Sequence, residues 1–288
     1  MAISLGGGGS ASQINEVVSL NNGASTVTLA DGRVYLKGGV FETTISNYPD
    51  ATTTQVYEGT SFSVQSQATA PKGIAWDSQY SFFYVVSATN DSVYKYSSTG
   101  VYQGAVFSVA SQESQPTGIV YADGFLWVIG EATKRATKYS MTGTYQNVSF
   151  PVGSQENKPQ GITWDGTNFW IVGQQNNTVY KYNASGVYQN VSFSVASVAT
   201  TTIDITWDGS HLWVINPTTD RAYKYTTSGV LQTSFYVASQ ANNPTALVWD
   251  GSNLWVMGET TDSVFKYEEA IGIPTDASFG AQNYVRVV

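Results

Sequence analysis

The sequence predicts an all-β protein, a five-bladed β-propeller of four-stranded blades whose ring is closed by an N-terminal strand. Three observations predict it: a five-fold repeat, the confinement of every tryptophan to two repeat positions, and a fourth strand that is missing after the last repeat but present before the first.

The repeat aligns on Pro71-Lys72-Gly73-Ile74, Pro116-Thr117-Gly118-Ile119 and Pro159-Gln160-Gly161-Ile162, with degenerate copies at Thr202-Ile203-Asp204-Ile205 and Pro244-Thr245-Ala246-Leu247, at spacings of 45, 43, 43 and 42 residues. Each copy continues with an aromatic and an Asp-Gly-like turn, as in Trp164-Asp165-Gly166. An apolar run with a second aromatic follows, then a Val-Tyr-Lys-Tyr segment, a Ser-Gly or Thr-Gly turn and a Phe-Ser-Val segment. One aromatic column holds Trp76, Tyr121, Trp164, Trp207 and Trp249. The other holds Tyr84, Trp127, Trp170, Trp213 and Trp255, which accounts for all 8 tryptophans. These segments are short, rich in Val, Ile, Tyr, Trp and Thr, and bounded by turn residues, so each unit reads as four strands, with almost no helix.

The ends choose between a ring and an open array. The last copy stops at its third strand, Val264-Phe265-Lys266-Tyr267. The run from Val56 to Gln67, upstream of the first copy, matches the fourth-strand run from Val101 to Gln112 in form and spacing. A ring sealed by the early strand leaves that pattern and removes exposed sheet edges. The expected organisation is an N-terminal segment 1–54, a propeller 55–268 and a C-terminal extension 269–288 with a short strand. Within the first, Thr26 to Leu29 and Val34 to Leu36 flank Asp31-Gly32 and read as a hairpin.

Composition narrows the function. The chain has 288 residues, 42% of them hydrophobic and 14% aromatic, enough for a sizeable core and too sticky for disorder. A formal net charge of −8 opposes nucleic acid and anionic membranes as partners, and no apolar run is long enough to span a bilayer. Zero cysteines and one histidine, His211, leave no thiolate or multi-histidine metal site, and no cofactor or metal is expected. No export signal is read at Met1 to Leu5, and the glycines at 6–9 lack the Lys-Ser/Thr of a phosphate loop and read as a flexible lead.

Conserved-looking columns within the repeat read as scaffold. The aspartates Asp77, Asp123, Asp165, Asp208 and Asp250 sit before turns and read as turn formers. The lysines Lys95, Lys138, Lys181, Lys224 and Lys266 read as cover laid over aromatic surface. His211 occupies a position held by Asn168, Asn253 and Phe125 elsewhere, which argues against a catalytic base, and no catalytic residue is assigned. Recognition is expected where the copies diverge, in the loops after the second strand. The candidate ligand-binding residues are Asn90, Asp91, Glu131, Lys134, Arg135, Gln174, Gln175, Asn176, Asp220, Arg221, Glu259 and Asp262, whose amides, hydroxyl neighbours and charges suit sugar hydroxyls.

The Trp-Asp dipeptide closes the first strand here, unlike that of WD repeats, and the layout looks more like compact tachylectin-type five-bladed propellers. The opening Ile3-Ser4-Leu5-Gly6-Gly7-Gly8-Gly9-Ser10 with Gln13-Ile14-Asn15-Glu16 and Asp31-Gly32-Arg33-Val34-Tyr35-Leu36-Lys37-Gly38-Gly39, and the ending Gly272-Ile273-Pro274 to Tyr284-Val285-Arg286-Val287, resemble the ends of bacteriophage tail-fibre and related virion proteins. The resemblance implies a non-enzymatic virion appendage, assembled in the host cytoplasm and oligomeric in the particle. Its N-terminal segment would dock to other virion proteins while the propeller meets a host-surface glycan or receptor. A free-standing lectin, an architectural subunit and a propeller hydrolase or lyase are the alternatives.

Overall fold

The structure, a computed structural model, describes residues 26–28, 34–36 and 52–272. The chain forms two compact units, one of residues 57–268 and one of residues 1–56 with 269–288. In the second unit, β1 (Thr26–Thr28) pairs antiparallel with β2 (Val34–Leu36), Val27 opposite Tyr35, as expected of the hairpin. Its turn at Asp31-Gly32, the glycine lead and the expected strand near Tyr284 lie outside the described residues.

The first unit is the propeller. After β3 (Thr52–Ser63), blade one holds β4 (Pro71–Asp77), β5 (Phe82–Ser87), β6 (Ser92–Ser97) and β7 (Tyr102–Ser108). Blade two holds β8 (Pro116–Ala122), β9 (Phe125–Gly130), β10 (Arg135–Tyr139) and β11 (Tyr145–Pro151). Blade three holds β12 (Pro159–Trp164), β13 (Asn168–Gly173), β14 (Thr178–Asn183) and β15 (Tyr188–Ser194). Blade four holds β16 (Asp204–Trp207), β17 (Leu212–Asn216), β18 (Arg221–Tyr225) and β19 (Leu231–Tyr236). Blade five holds β20 (Pro244–Trp249), β21 (Leu254–Gly258) and β22 (Ser263–Gly272), and β3 supplies its outer strand. The described residues contain no helix.

Closure by the early strand is visible in side chains as well as in strand order. In three blades the outer-strand Phe packs under the turn glycine of the next blade, so that a Cβ on Gly143, Gly186 or Gly229 would fall within 2.5 Å of Phe107, Phe150 or Phe193. Phe62, on β3, meets Gly100 in the same way, and its ring lies 5.4 Å from Phe83 and 5.9 Å from Trp255. These turn glycines also hold φ between 76° and 87°, a backbone that side chains resist. The N-terminal strand therefore stands where a fifth repeat's own last strand would.

The core is a set of layers between neighbouring blades, because each sheet buries both faces. Phe83 and Tyr96 of blade one pack with Val248 and Trp255 of blade five. Trp127 and Phe150 of blade two pack with Phe169 and Tyr182 of blade three. Strands β4, β8, β12, β16 and β20 touch in sequence, β20 meeting β4, and ring the central axis. At their closest approach side chains are excluded: a Cβ on Gly73 would lie 2.9 Å from the Gly118 Cα, and one on Gly118 2.6 Å from the Gln160 carbonyl oxygen.

Candidate functional site

The two ends of this axial channel are chemically different. Each inner strand runs from its Pro-x-Gly start, or the degenerate equivalent in blades four and five, at one end to its aromatic at the other, so the first aromatic column forms a ring around one mouth. Trp76, Tyr121, Trp164, Trp207 and Trp249, all half-buried, line a cavity of about 600 Å³ with an aliphatic floor of Ile74, Ile119, Ile162, Ile205 and Leu247. That volume falls in the range of about 300–1,000 Å³ typical of small-molecule sites. The rings are braced from behind, Trp76 by Phe83 at 4.6 Å and Trp164 by Phe169 at 4.5 Å between centroids. The rim carries Asp123, Asp208 and Asp250 with glycine turns.

The rim aspartates are themselves structural parts. Asp165 Oδ1 accepts from the N–H groups of Thr167 and Asn168 at 2.8 and 2.6 Å, while Oδ2 accepts the indole N–H of Trp170 at 2.7 Å. Asp208 and Asp250 repeat this with Trp213 and Trp255, at 2.9 and 2.7 Å. The turn role agrees with the sequence; the bond to the second aromatic column was not legible. Blade two departs from the pattern. There Ala122 takes the aspartate's place, and Asp123 is the turn residue, with φ 49°.

Burial pushes the Asp208 carboxyl up, but the N–H groups of Ser210 and His211 and the Lys224 ammonium, 3.1 Å away, together hold it below the usual carboxylate range. His211 Nδ1 lies 2.8 Å from Ser210 Oγ, which also donates to Asp208 at 3.0 Å, so the histidine is part of the hydrogen-bonded turn that holds Asp208. The lysine column covers aromatics as expected: Lys95 and Lys138 stand 3.7 Å over Phe82 and Phe125, and Lys181 5.1 Å over Trp170.

The opposite mouth is polar. A cavity of about 410 Å³ there is lined by Lys72, Gln115, Thr117, Glu131, Gln160 and Thr245, among others. Lys72 pairs with Glu259 at 3.5 Å, and Glu131 accepts from Gln160. Of the loop residues chosen from the sequence, Glu131 lines this cavity and Glu259 reaches it through Lys72; the rest are distributed around the five blades. Asp91, Lys134, Asp220 and Asp262 take the left-handed turn position, with φ between 42° and 54°. Arg135 bonds Ser149, and Arg221 bonds Ser234, both on the adjacent outer strand. Asn90 and Asn176 donate to Tyr94 and Tyr180, Asp220 accepts from the Asn243 N–H, and Gln174 and Gln175 precede Asn176 in the blade-three turn. Burial, with a neighbouring Glu113 or Glu259, raises the Asp91 and Asp262 carboxyls. Among the described residues no group of three His, Asp or Glu is placed to hold a metal.

No protein-family model matches the sequence, and no curated protein matches it. Solved structures share the fold. The chain is similar to a glutaminyl cyclase of Myxococcus xanthus (9% identity, 77% of this chain and 98% of that one, TM-score 0.57). It is also similar to the PQQ-bound aldose sugar dehydrogenase of Streptomyces coelicolor (12%, 77% and 100%, 0.54) and to a chain of a nidogen/laminin complex (17%, 68% and 75%, 0.50). The fold is thus a β-propeller of the kind on which both enzymes and binding proteins are built. The expectation of a non-enzyme is corrected by this finding, since the cyclase and the dehydrogenase are enzymes on such a ring. Missing nucleophile and metal motifs were its basis, and a propeller can instead assemble a site from single residues of separate blades around its axis. Nothing in these likenesses supports a tail-fibre identity, and most of the residues behind that resemblance lie outside the described ones.

Proposed function

We propose that the propeller binds a neutral or amine-bearing saccharide in its aromatic mouth. The observation that carries this reading is the braced ring of four tryptophans and one tyrosine around a cavity of about 600 Å³. Indole faces stack on the C–H faces of sugar rings, and the polar rim supplies acceptors for hydroxyl groups. Asp123, Asp208 and Asp250 around the opening, on a chain of net charge −8, disfavour phosphorylated or carboxylated sugars. The rim carboxylates are also ionisable groups beside the bound sugar, so the same mouth suits a sugar-converting reaction. The sequence resemblance of the two ends would set this ring on a virion, bound to other virion proteins and facing a host glycan.

Titration with neutral, amino and acidic saccharides, read by tryptophan fluorescence and by mass spectrometry of the sugar, tests the reading. Trp164→Ala and Trp207→Ala should each weaken binding about tenfold, the scale of losing one aromatic anchor. A preference for acidic sugars, or binding indifferent to both substitutions, would overturn it.

A further inference from the structure

Two departures from the repeat meet at one sector of the aromatic rim. In blade one, four residues, Ser78 to Ser81, join the first two strands, where two suffice between the paired ends Ala122 and Phe125 of blade two. In blade two, the inner aromatic is Tyr121, the one member of the ring that is not tryptophan. The two are bonded to each other: the Tyr121 hydroxyl donates to Gln79 Oε1 at 3.2 Å, and Gln79 Nε2 donates to the Tyr80 hydroxyl at 3.1 Å.

The long turn is built, not slack. Asp77 Oδ1 accepts from the N–H groups of Gln79 and Tyr80 at 2.9 and 3.2 Å, and the Ser81 N–H donates to the Asp77 carbonyl at 2.8 Å. The turn nevertheless leaves Tyr80 62% exposed, the most exposed large apolar side chain among the described residues. Folding gains little from an aromatic held in that way. A fixed ring with an amide on one side and the Asp123 carboxylate at the neighbouring turn offers one stacking face and several hydrogen-bonding groups, the chemistry of a second sugar site.

Resting on the saccharide reading above, we infer that Gln79, Tyr80, Tyr121 and Asp123 form an extension of the mouth that holds a second sugar unit and so makes the site select oligosaccharides over single sugars. The first unit enters the tryptophan ring, and the glycosidic bond crosses the rim between blades one and two. No other turn carries a tyrosine, Phe125 lies under Lys138 and His211 bonds Ser210, so the extension exists on this side and fixes the direction of the chain.

The experiment uses the full chain with glucose, galactose and N-acetylglucosamine and their β-1,4-linked dimers and trimers. The unaltered protein should bind the dimers about tenfold more tightly than the single sugars. Tyr80→Ala, an exposed position that leaves the core intact, should abolish that preference while leaving single-sugar affinity unchanged, and removal of Gln79 and Tyr80 together should do the same. Trp207→Ala, in contrast, should weaken single sugars and dimers alike. If Tyr80→Ala keeps the length preference while Trp207→Ala lowers all affinities, the extension is refuted and the aromatic mouth stands. If no sugar binds and Trp207→Ala changes nothing, the saccharide reading itself has failed.

Discussion

Blades three and four have the same strands at a spacing of 43 residues, yet they fasten the loop after the second strand by different means. In blade three, Glu156 reaches from the preceding turn into the space over Gly173, accepting from the N–H groups of Lys158 at 2.9 Å and Asn176 at 3.4 Å. In blade four the corresponding residues are Ala199 and Asn216, and the Asn216 Oδ1 accepts from the Thr218 N–H at 2.8 Å. A carboxylate beside a bare glycine has been exchanged for an alanine beside an amide. Blade two uses the first solution, with Glu113 accepting from Ala132 and Thr133. Blade one sets Ala68 beside Ser87 and blade five sets Ala241 beside Gly258, so the carboxylate stands only beside a glycine, while the alanine accepts glycine, serine or asparagine as its neighbour.

The largest effect expected from breaking this comparison is Gly173→Asn. A Cβ at Gly173 would lie 2.0 Å from Glu156 Cγ, and its three nearest neighbours are all atoms of Glu156, so the single substitution should cost about 3 kcal/mol by overpacking. Glu156→Ala alone, which strands buried N–H groups, should cost about 2 kcal/mol. Combined, the two convert blade three to the blade-four solution and should fall within about 1 kcal/mol of the parent, each substitution offsetting the cost of the other. Urea unfolding of the four proteins measures it, and additive losses would show that the exchange is coincidental.

The second difference between the blades lies at the waist of the channel. Gly161 lets blade three approach its neighbour, but blade four has Asp204, 3% exposed, whose carboxylate accepts from the N–H groups of Ile205 and, in blade five, Leu247, at 2.9 and 3.0 Å. Burial pushes this carboxyl well above the usual range, and the two N–H groups only partly offset it. With the folded pKa raised, the native state holds the proton more tightly than the unfolded chain. The contribution of this carboxyl to stability is then fully present below about pH 4 and declines as pH rises from there towards the folded pKa. Asp204→Gly, which restores the residue of the first three blades, should remove that decline. Its urea midpoint should be below the parent's at pH 3.5 and approach or exceed it at pH 7.5; parallel pH profiles would exclude the carboxyl as their source.

How much of this was legible in the sequence depends on the distance over which residues act. The aromatic columns and the missing fourth strand are properties of single positions compared across copies, and they were enough for five blades and their closure through Phe62. The compensation of Glu156 by Gly173 links positions 17 apart within one copy, and no column taken alone reveals it. The mouth proposed here differs from the loop residues for a related reason. Divergence between copies points to the loops, whereas the aromatic cavity is lined by a column that hardly varies and therefore reads as core. One signal was available: Trp76, Trp164, Trp207 and Trp249 stand directly before their turns, at strand ends, which puts them at an opening and leaves them half-buried, while Trp170 and Trp213 sit mid-strand and are 1% and 2% exposed.

The smallest expected effect comes from carrying the comparison to blade one. In blades three, four and five one aspartate oxygen receives an indole N–H, but in blade one the second-column residue is Tyr84, and the buried Asp77 Oδ2 has no hydrogen-bond partner. Desolvation, with Asp77 nearby, pushes the Tyr84 hydroxyl up to about 12, so it stays protonated without serving this oxygen. Trp170 and Trp213 show that an indole fits at this place in the blade, where Lys95 can cover it as Lys181 covers Trp170. Tyr84→Trp should supply the missing donor and stabilise the ring by about 1 kcal/mol, read as a raised Tm. The control is Tyr84→Trp with Asp77→Ala, in which the gain should disappear. If the gain survives there, it comes from added apolar volume, and the aspartate–indole bond is not what distinguishes blade one from its neighbours.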